Sequence, residues 1–203
     1  MKKLIIYMAM ALLCPNAAIS QNPTLAKKVL DKTASVVGKK DGASAKFTIT
    51  QQKVGSSTGN IYIKGNKFHA TTPEAIVWFD GKTQWSYMKN TDEVNITTPT
   101  KAQQMAMNPY TFINMYKSGY QLGITQKEGN YVAHLTAQSK QSSIQEMYIT
   151  ISKTTYIPSL VKMRQKESWT TIVISNFSAK SLKNDLFTFN PKAYPSAEVI
   201  DLR

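Results

Sequence analysis

The side chains that most often carry catalysis or bind metal ions are scarce in this sequence of 203 residues. Its two histidines, His69 and His134, stand in strand-like segments with no second ligand at metal-site spacing, which favours structural roles. Acidic residues are few, and the sequence has no nucleophile elbow, zinc-binding helix, phosphate-binding loop or dinucleotide fingerprint. We therefore expect a protein that is not an enzyme and has no metal ion or cofactor. An enzyme would need a carboxylate or histidine pair that the fold assembles inside a cavity.

The first twenty residues have the regions of a cleavable signal peptide. Lys2 and Lys3 precede an apolar run over residues 4–13, which is too short to cross a bilayer as a helix. Ala18 and Ser20 then occupy the −3 and −1 positions of a cleavage site. The pattern predicts export from the cytoplasm.

We expect residues 1–20 to be removed and residues 21–203 to form one domain, because that length supports a sizeable core and no domain boundary is visible. Cys14 is the only cysteine, so the exported chain would have no disulfide and no thiolate. Acylation of Cys14 is the alternative fate of this region, but Leu13 stands where that processing requires a small residue.

The charge is strongly basic, with a formal net value of +13 at pH 7 for the whole sequence. Such a balance often indicates nucleic-acid binding, but export argues against a nucleic-acid partner. Acidic membrane surfaces and acidic proteins remain as candidate partners. The lysines are scattered, which favours the simpler interpretation of a solvated surface.

The side chains of this sequence that best indicate a binding function are apolar and conformationally flexible. Methionine suits surfaces that re-pack around varied apolar partners, and Met105, Met107 and Met115 cluster in one predicted helical insertion. A curled sheet with helices across its mouth can enclose a ligand cavity. The residues predicted to line an apolar cavity for acyl chains are Phe47, Ile49, Ile61, Ile63, Phe68, Ile76, Trp78, Trp85, Tyr87, Met105, Met107, Phe112, Met115, Met147 and Ile149.

The elements that must position these residues begin with a helix. Asn22 is a candidate N-cap, Pro23 suits the first helical position, and Gly38 is a natural stop. Apolar residues between them recur at helical spacing, so we expect one amphipathic helix of about four turns.

Beyond the helix, apolar residues alternate with period two, as in β-strands, and turn signals recur at hairpin spacing. Asp80 and Gly81 form a strong hairpin signal. The continuous apolar run over residues 75–79 indicates a strand covered on both faces. Short helices are predicted over residues 100–118, and a short final strand over residues 186–189.

These elements predict a mainly β fold with some α-structure, of the α+β class. An open sheet of that length must curl. We expect an incomplete antiparallel β-barrel, or curled half-barrel, of about ten strands, with an N-terminal helix and short helices that cover the cavity.

Several motifs follow one another in an order typical of a known family. Residues 59–64 form a strand with glycine first and lysine last, residues 66–68 spell N-K-F, and residues 80–87 spell D-G-K-T-Q-W-S-Y. Residues 108–112 occupy the place of a helical insertion, and residues 186–191 that of a closing strand. The ordered set resembles the LolA family, periplasmic carriers of lipoproteins, over essentially all of the exported chain.

The resemblance implies a periplasmic carrier whose apolar cavity accepts the acyl chains of lipoproteins. Its partners would be acylated lipoproteins, an inner-membrane ABC transporter that releases them, and an acceptor at the outer membrane. We expect the carrier to act as a monomer. The alternative is a binding or sensing module on the same scaffold, which holds an envelope lipid or lipopeptide without delivering it.

One departure from the family pattern concerns the closure of the lid. The family has arginine and then proline after the strand lysine, whereas Lys64 is followed by Gly65 and Asn66. Lys64 and Lys67 are the candidates for replacing that arginine as a lid contact, and ordinary surface lysines are the alternative. The family's tryptophan two residues after the N-x-F phenylalanine is replaced by Ala70.

Overall fold

The computed structural model describes residues 22–38, 40–51, 55–100 and 115–203. In chain order its elements are helix α1 (Pro23–Val37), strands β1 (Ala43–Gln51), β2 (Gly55–Lys64), β3 (Lys67–Thr71), β4 (Ala75–Phe79), β5 (Gln84–Met88), β6 (Glu93–Thr97), β7 (Tyr120–Lys127), β8 (Asn130–Ala137), β9 (Glu146–Ser152), β10 (Pro158–Gln165), β11 (Ser168–Ala179), two 3-10 turns (Asn184–Phe187 and Pro191–Ala193) and strand β12 (Glu198–Asp201).

Helix α1 begins and ends where its sequence signals predict. The side-chain oxygen of Asn22 accepts a hydrogen bond from the backbone N–H of Leu25 at 2.9 Å, and Pro23 begins the first turn. The helix ends before Gly38, whose N–H donates to the carbonyl of Ala34 at 2.8 Å. Among the described helices, none combines the length and apolar character that crossing a membrane requires.

The twelve described strands form one sheet in the order β12-β6-β5-β4-β3-β2-β1-β11-β10-β9-β8-β7. Neighbours pair antiparallel, except that β12 lies parallel to β6. The end strands β12 and β7 do not pair with each other within the described residues, so the sheet is curled but unclosed. A mainly β half-barrel with an N-terminal helix is thus confirmed, with twelve strands in place of about ten.

The face of the sheet that packs on α1, here called the inner face, carries most of the core. Strand alternation places every second side chain on this face. The buried ones join Ala26, Val29 and Leu30 of α1 in one apolar cluster, here called the main cluster. Because apolar burial is the dominant favourable contribution to folding, this cluster holds the helix on the sheet.

The opposite, outer face has its own apolar cover at β4 to β6. Trp78 and Val94 are buried there with Phe189 from the segment before β12, and Tyr194 packs beside them; we call this group the second cluster. On the inner face of the same strand, Phe79 belongs to the main cluster. The prediction that the run over residues 75–79 is covered on both faces is therefore confirmed at its end, where Trp78 and Phe79 are buried, whereas residues 75–77 are half-buried.

The predicted final strand over residues 186–189 was wrong. The segment turns as a 3-10 helix over Asn184–Phe187, and a strand forms later, at Glu198–Asp201. Phe187 and Phe189 alternate because both are buried against the sheet, not because the segment pairs with it. The helices predicted over residues 100–118 fall almost entirely at residues 101–114, which lie outside the described residues.

Candidate functional site

The inner face brings together eight of the residues that the sequence predicted for an apolar cavity. Seven of them are buried members of the main cluster, and the eighth, Ile49, is half-buried against it. The eight residues are Phe47, Ile49, Ile61, Ile63, Phe68, Met115, Met147 and Ile149.

Four other predicted residues lie on the outer face. Trp78 is a buried member of the second cluster, and Ile76, Trp85 and Tyr87 pack against it. In the pairing of β3 with β4, Phe68 faces Phe79, so the even-numbered residues of β4 point away from the main cluster. These four residues therefore do not share a cavity with the first eight, which corrects that grouping. The predicted positions Met105, Met107 and Phe112 lie outside the described residues.

Sequence reasoning missed several apolar residues of the inner face. Met163 of β10 lies opposite Met147 of β9, and both are buried in the main cluster. The same cluster holds Leu135, Ile151, Val161, Ile172 and Ile174. The signal that could have identified Ile151, Val161 and Met163 is the alternation in residues 146–152 and 158–165, whose odd-numbered positions from 147 to 151 and at 161 and 163 are all apolar. Leu135, Ile172 and Ile174 lie in other strands, β8 and β11.

Part of the inner face remains open to solvent. Val77, Ala70 and Ile49 pack against the main cluster but are only half-buried. Val77 lies opposite Ala70 on the neighbouring strand, and Phe47 and Ile49 continue the same face on β1. We call these four residues the apolar strip; Phe47 is buried, and the other three are apolar side chains of the described core that keep some contact with solvent.

Small residues make room along the apolar strip. An added Cβ at Gly59 would lie 2.6 Å from Cζ of Phe47 and 2.2 Å from the carbonyl oxygen of Thr71, so only glycine lets the Phe47 ring approach β2 this closely. Ala70 stands where the resemblance expects a tryptophan, and it lies on the inner face opposite Ile61. A tryptophan at this position would cover part of the inner face that Ala70 leaves uncovered.

A second opening lies between the first turn of α1 and β7. This groove of about 670 Å³ is lined by Tyr120 and Leu122 of the inner face, and also by Lys27, His134 and the polar side chains beside them. Its mixed lining suits polar groups better than acyl chains. The apolar strip, whose four side chains are all apolar, is the candidate binding site for acyl chains.

Polar contacts at the edge of the main cluster fix α1 relative to the chain that follows residue 114. The hydroxyl of Tyr116 donates a hydrogen bond to Asp31 of α1. Burial and the neighbouring carboxylate raise the pKa of Tyr116 above its ordinary range. Hydrogen bonds from Lys27 and then from Tyr116 lower the pKa of Asp31, so the pair stays a neutral donor and an anionic acceptor.

Lys64, one of the two lysines proposed as lid contacts, has a partner in the C-terminal part of the chain. Its Nζ donates a hydrogen bond of 2.6 Å to the backbone carbonyl of Leu182. Lys67 lies opposite Lys64 at the turn between β2 and β3 and is half-buried. A role of either lysine in closing a lid stays a prediction.

The two histidines both lie on the outer face. His69 is buried between the rings of Tyr62 and Trp78, at centroid distances of 5.7 and 5.4 Å. Burial lowers the pKa of His69, and its Nδ1 lies 3.2 Å from the carbonyl of Val77. These contacts give His69 a packing role.

His134 has a carboxylate partner that sequence reasoning did not find. Its Nε2 lies 3.0 Å from Oε1 of Glu146, whose carboxylate also accepts hydrogen bonds from Tyr148 at 2.7 Å and Arg164 at 3.2 Å. The four residues come from β8, β9 and β10, and strand pairing alone brings them together. The pair lies on the outer face, whereas catalysis in the apolar site would require it on the inner face.

This polar group predicts how stability depends on pH. Burial acts to raise the pKa of Glu146, but the hydrogen bonds outweigh burial, so its pKa is lowered overall. A lowered pKa in the folded state means that the stabilisation is full above the unfolded value of about 4.3 and is lost as the pH falls below it. Glu146→Gln should therefore reduce the free energy of unfolding by about 1–3 kcal/mol at pH 7, and by progressively less below pH 4.3.

Urea denaturation at several pH values between 3 and 7 measures this effect. Glu167→Gln, in the exposed turn before β11, is the matched control and should change stability by less than about 0.5 kcal/mol throughout. A constant difference between Glu146→Gln and wild type at every pH would contradict the prediction.

The geometry defines a class of protein, the open half-barrel, in which a curled, unclosed sheet packs its apolar face on a helix. The chain belongs to the family of the outer membrane lipoprotein carrier protein LolA, whose model matches residues 16–167. A search of curated proteins finds no match to this sequence.

Several solved structures are similar to this chain at low sequence identity, and the first of them shares its fold. An uncharacterized conserved protein from Thermus thermophilus has a TM-score of 0.57 at 14% identity, with 87% of this chain and 99% of that chain covered. A LolA superfamily protein from Nitrosomonas europaea has a TM-score of 0.47 at 12% identity, with 81% and 97% covered. A chain of the MucA/MucB complex of Pseudomonas aeruginosa has a TM-score of 0.44 at 12% identity, with 81% and 61% covered.

Proposed function

We propose that the protein is a periplasmic carrier that binds the acyl chains of lipoproteins on its inner face and moves them from the inner to the outer membrane. The apolar strip carries this proposal, because its half-buried residues Ile49, Ala70 and Val77 continue the buried apolar surface of the main cluster toward solvent. Family membership supports the same function. An inner-membrane ABC transporter as donor and an outer-membrane acceptor belong to the proposal, as does removal of residues 1–20 as a signal peptide.

The physical need for such a carrier is clear from the hydrophobic effect. Each CH₂ group of an acyl chain exposed to water costs about 0.8 kcal/mol, so a lipoprotein does not cross an aqueous compartment unaided. A carrier must also release its load, which favours a deformable wall over a rigid pocket. Met115, Met147 and Met163 of the main cluster provide flexible side chains next to the branched residues of the strands.

A second candidate function is binding without delivery, as a sensor or store for an envelope lipid or lipopeptide. The site supports it through the departure from the family pattern at residues 65 and 66, which removes the arginine of the lid. The apolar strip serves both functions equally, so only a transfer experiment separates them.

Binding of a synthetic triacylated peptide tests the proposal. The purified domain of residues 21–203 should bind the fluorescent triacylated peptide with a micromolar or lower Kd, and the same peptide without acyl chains should bind at least a hundredfold more weakly. Equal affinity for both peptides would overturn acyl binding. Transfer of bound peptide to acceptor vesicles or membranes then separates a carrier from a sensor.

A further inference from the structure

The positive charge of this protein is concentrated in one part of the fold. The described residues of 22–64 and 115–182, which supply α1, β1, β2 and β7 to β11, carry fourteen Lys and Arg but five Asp and Glu. Residues 65–100 and 183–203, which supply β3 to β6 and β12, carry six Lys and Arg and seven Asp and Glu. The charge is therefore distributed unevenly. The part of the sheet formed by β1, β2 and β7 to β11 is basic, and the part formed by β3 to β6 and β12 is nearly neutral.

The outer face of the basic side exposes aromatic, aliphatic and cationic groups together. Lys162 of β10 lies between Tyr148 and Thr171 on its neighbouring strands, and its Nζ is 5.7 Å from the centre of the Trp169 ring. Val173, which is 47% exposed, lies opposite Leu160 on the same face. We call the following residues the outer patch: Lys46, Tyr148, Leu160, Lys162, Trp169 and Val173.

The charge of the outer patch is not compensated within the strands that form it. Glu146 is the only carboxylate in β1, β2 and β7 to β11, and it is already engaged by Arg164 and His134. Lys46 and Lys162 are exposed and make no ion pair with other described residues. Both lysines are thus available to a partner with negative charge.

We propose that the outer patch docks this protein on an anionic lipid bilayer surface. Tryptophan and tyrosine, which combine an apolar ring with a polar edge, are the residues that favour the interface between headgroups and acyl chains. Exposed lysines are attracted to anionic headgroups, each with an effect of up to about fivefold on binding. Val173 and Leu160 add apolar area that can settle among the headgroups.

The form of the patch favours a membrane over an acidic protein. Its residues lie on the outer surface of paired strands and come from β1, β9, β10 and β11, whereas a specific protein interface centres on a desolvated pocket. The basic residues behind it are spread along the chain, which suits attraction to an extended charged surface. Docking through the outer face leaves the apolar strip on the inner face free.

Vesicle binding without any acylated peptide tests docking independently of the proposed function. Wild-type protein should co-sediment with vesicles of phosphatidylglycerol and phosphatidylethanolamine (1:3), but not with phosphatidylcholine vesicles, and binding should fall at least tenfold between 50 and 300 mM NaCl. The double variant Lys46→Glu/Lys162→Glu should bind the anionic vesicles at least tenfold more weakly.

The double variant Lys82→Glu/Lys192→Glu is the matched control, because it changes the net charge equally through exposed lysines of the other side. It should bind the vesicles within twofold of wild type. Equal losses in both double variants would overturn the proposal, because total charge and not the outer patch would then set affinity. No binding to anionic vesicles, or capture of an acidic protein by the outer patch in place of vesicles, would also overturn it.

Discussion

Val77→Asp is expected to weaken binding of the triacylated peptide at least tenfold while the protein stays folded. Val77 is half-buried in the apolar strip, where a carboxylate would face the acyl chain and would have to lose its hydration for the chain to bind. Because the side chain keeps some contact with solvent in the unliganded protein, the substitution is tolerated by the fold better than at a fully buried neighbour. Fluorescence titration gives the affinity, and circular dichroism reports the fold.

The control for this substitution uses the same residue type on the other face. Val173→Asp places an equal charge on the exposed outer face and should leave the affinity for the triacylated peptide within twofold of wild type. If Val77→Asp bound the peptide as well as wild type, the apolar strip would not be the acyl site. If Val77→Asp unfolded, Val77→Thr keeps the shape of valine but replaces one methyl group with a hydroxyl, and should weaken binding severalfold.

Trp78→Ala should have the opposite profile, with a large loss of stability and little change in acyl binding. Trp78 is 7% exposed in the second cluster, with its ring centre 5.4 Å from that of Phe189 and 5.6 Å from that of Tyr194. Truncation of such an aromatic residue costs about 3–5 kcal/mol, because the neighbours cannot fill the cavity. Since the residue lies on the outer face, the Kd for the triacylated peptide should stay within twofold of wild type.

Urea denaturation and the same peptide titration measure the two quantities. Phe189→Leu removes part of the same contact and should cost roughly 1–2 kcal/mol, which keeps the comparison available if Trp78→Ala does not fold. A loss of peptide affinity in either variant, at a temperature where the protein is fully folded, would contradict the separation of the two faces. It would also restore Trp78 to the acyl site.

The two substitutions also distinguish two parts of the proposed carrier that have different roles. The main cluster and its apolar strip would receive the cargo, whereas the second cluster fixes the segment before β12 against the sheet. A carrier that opens its inner face to admit acyl chains needs the rest of the sheet to keep its shape. The ring contacts of Trp78, Phe189 and Tyr194 stabilise the outer face of the sheet at β4 to β6.

The sequence predicted best those features that depend on neighbours along the chain. The cap at Asn22, the stop at Gly38 and the hairpin at Asp80 are all encoded within a few residues. At that hairpin, the carboxylate of Asp80 accepts hydrogen bonds from the backbone N–H groups of Lys82 and Thr83, and Gly81 has a φ of 103°. Local geometry of this kind follows from residue type alone, which is why helix and strand types were largely predictable.

The candidate site was predictable only in part. A strand has two faces, and the sequence does not show which other segments of the chain will cover each face. Alternation correctly grouped Ile61 with Ile63, and the run at residues 75–79 correctly indicated burial on both sides at Trp78 and Phe79. It did not show that Trp78 would meet Phe189, far along the chain, while Val77 would join the apolar strip on the opposite face. That choice depends on the strand register and on where the C-terminal segment packs.

Two findings came from the sequence by itself: it contains no conspicuous catalytic motif, and it resembles a known family. It was the tertiary structure that paired His134 with Glu146 and placed that pair on the outer face, away from the apolar strip. It also gathered the scattered lysines on one side of the sheet and left Lys162 beside Trp169. Contacts between distant residues depend on the strand order and register of the whole sheet, which no short stretch of sequence contains.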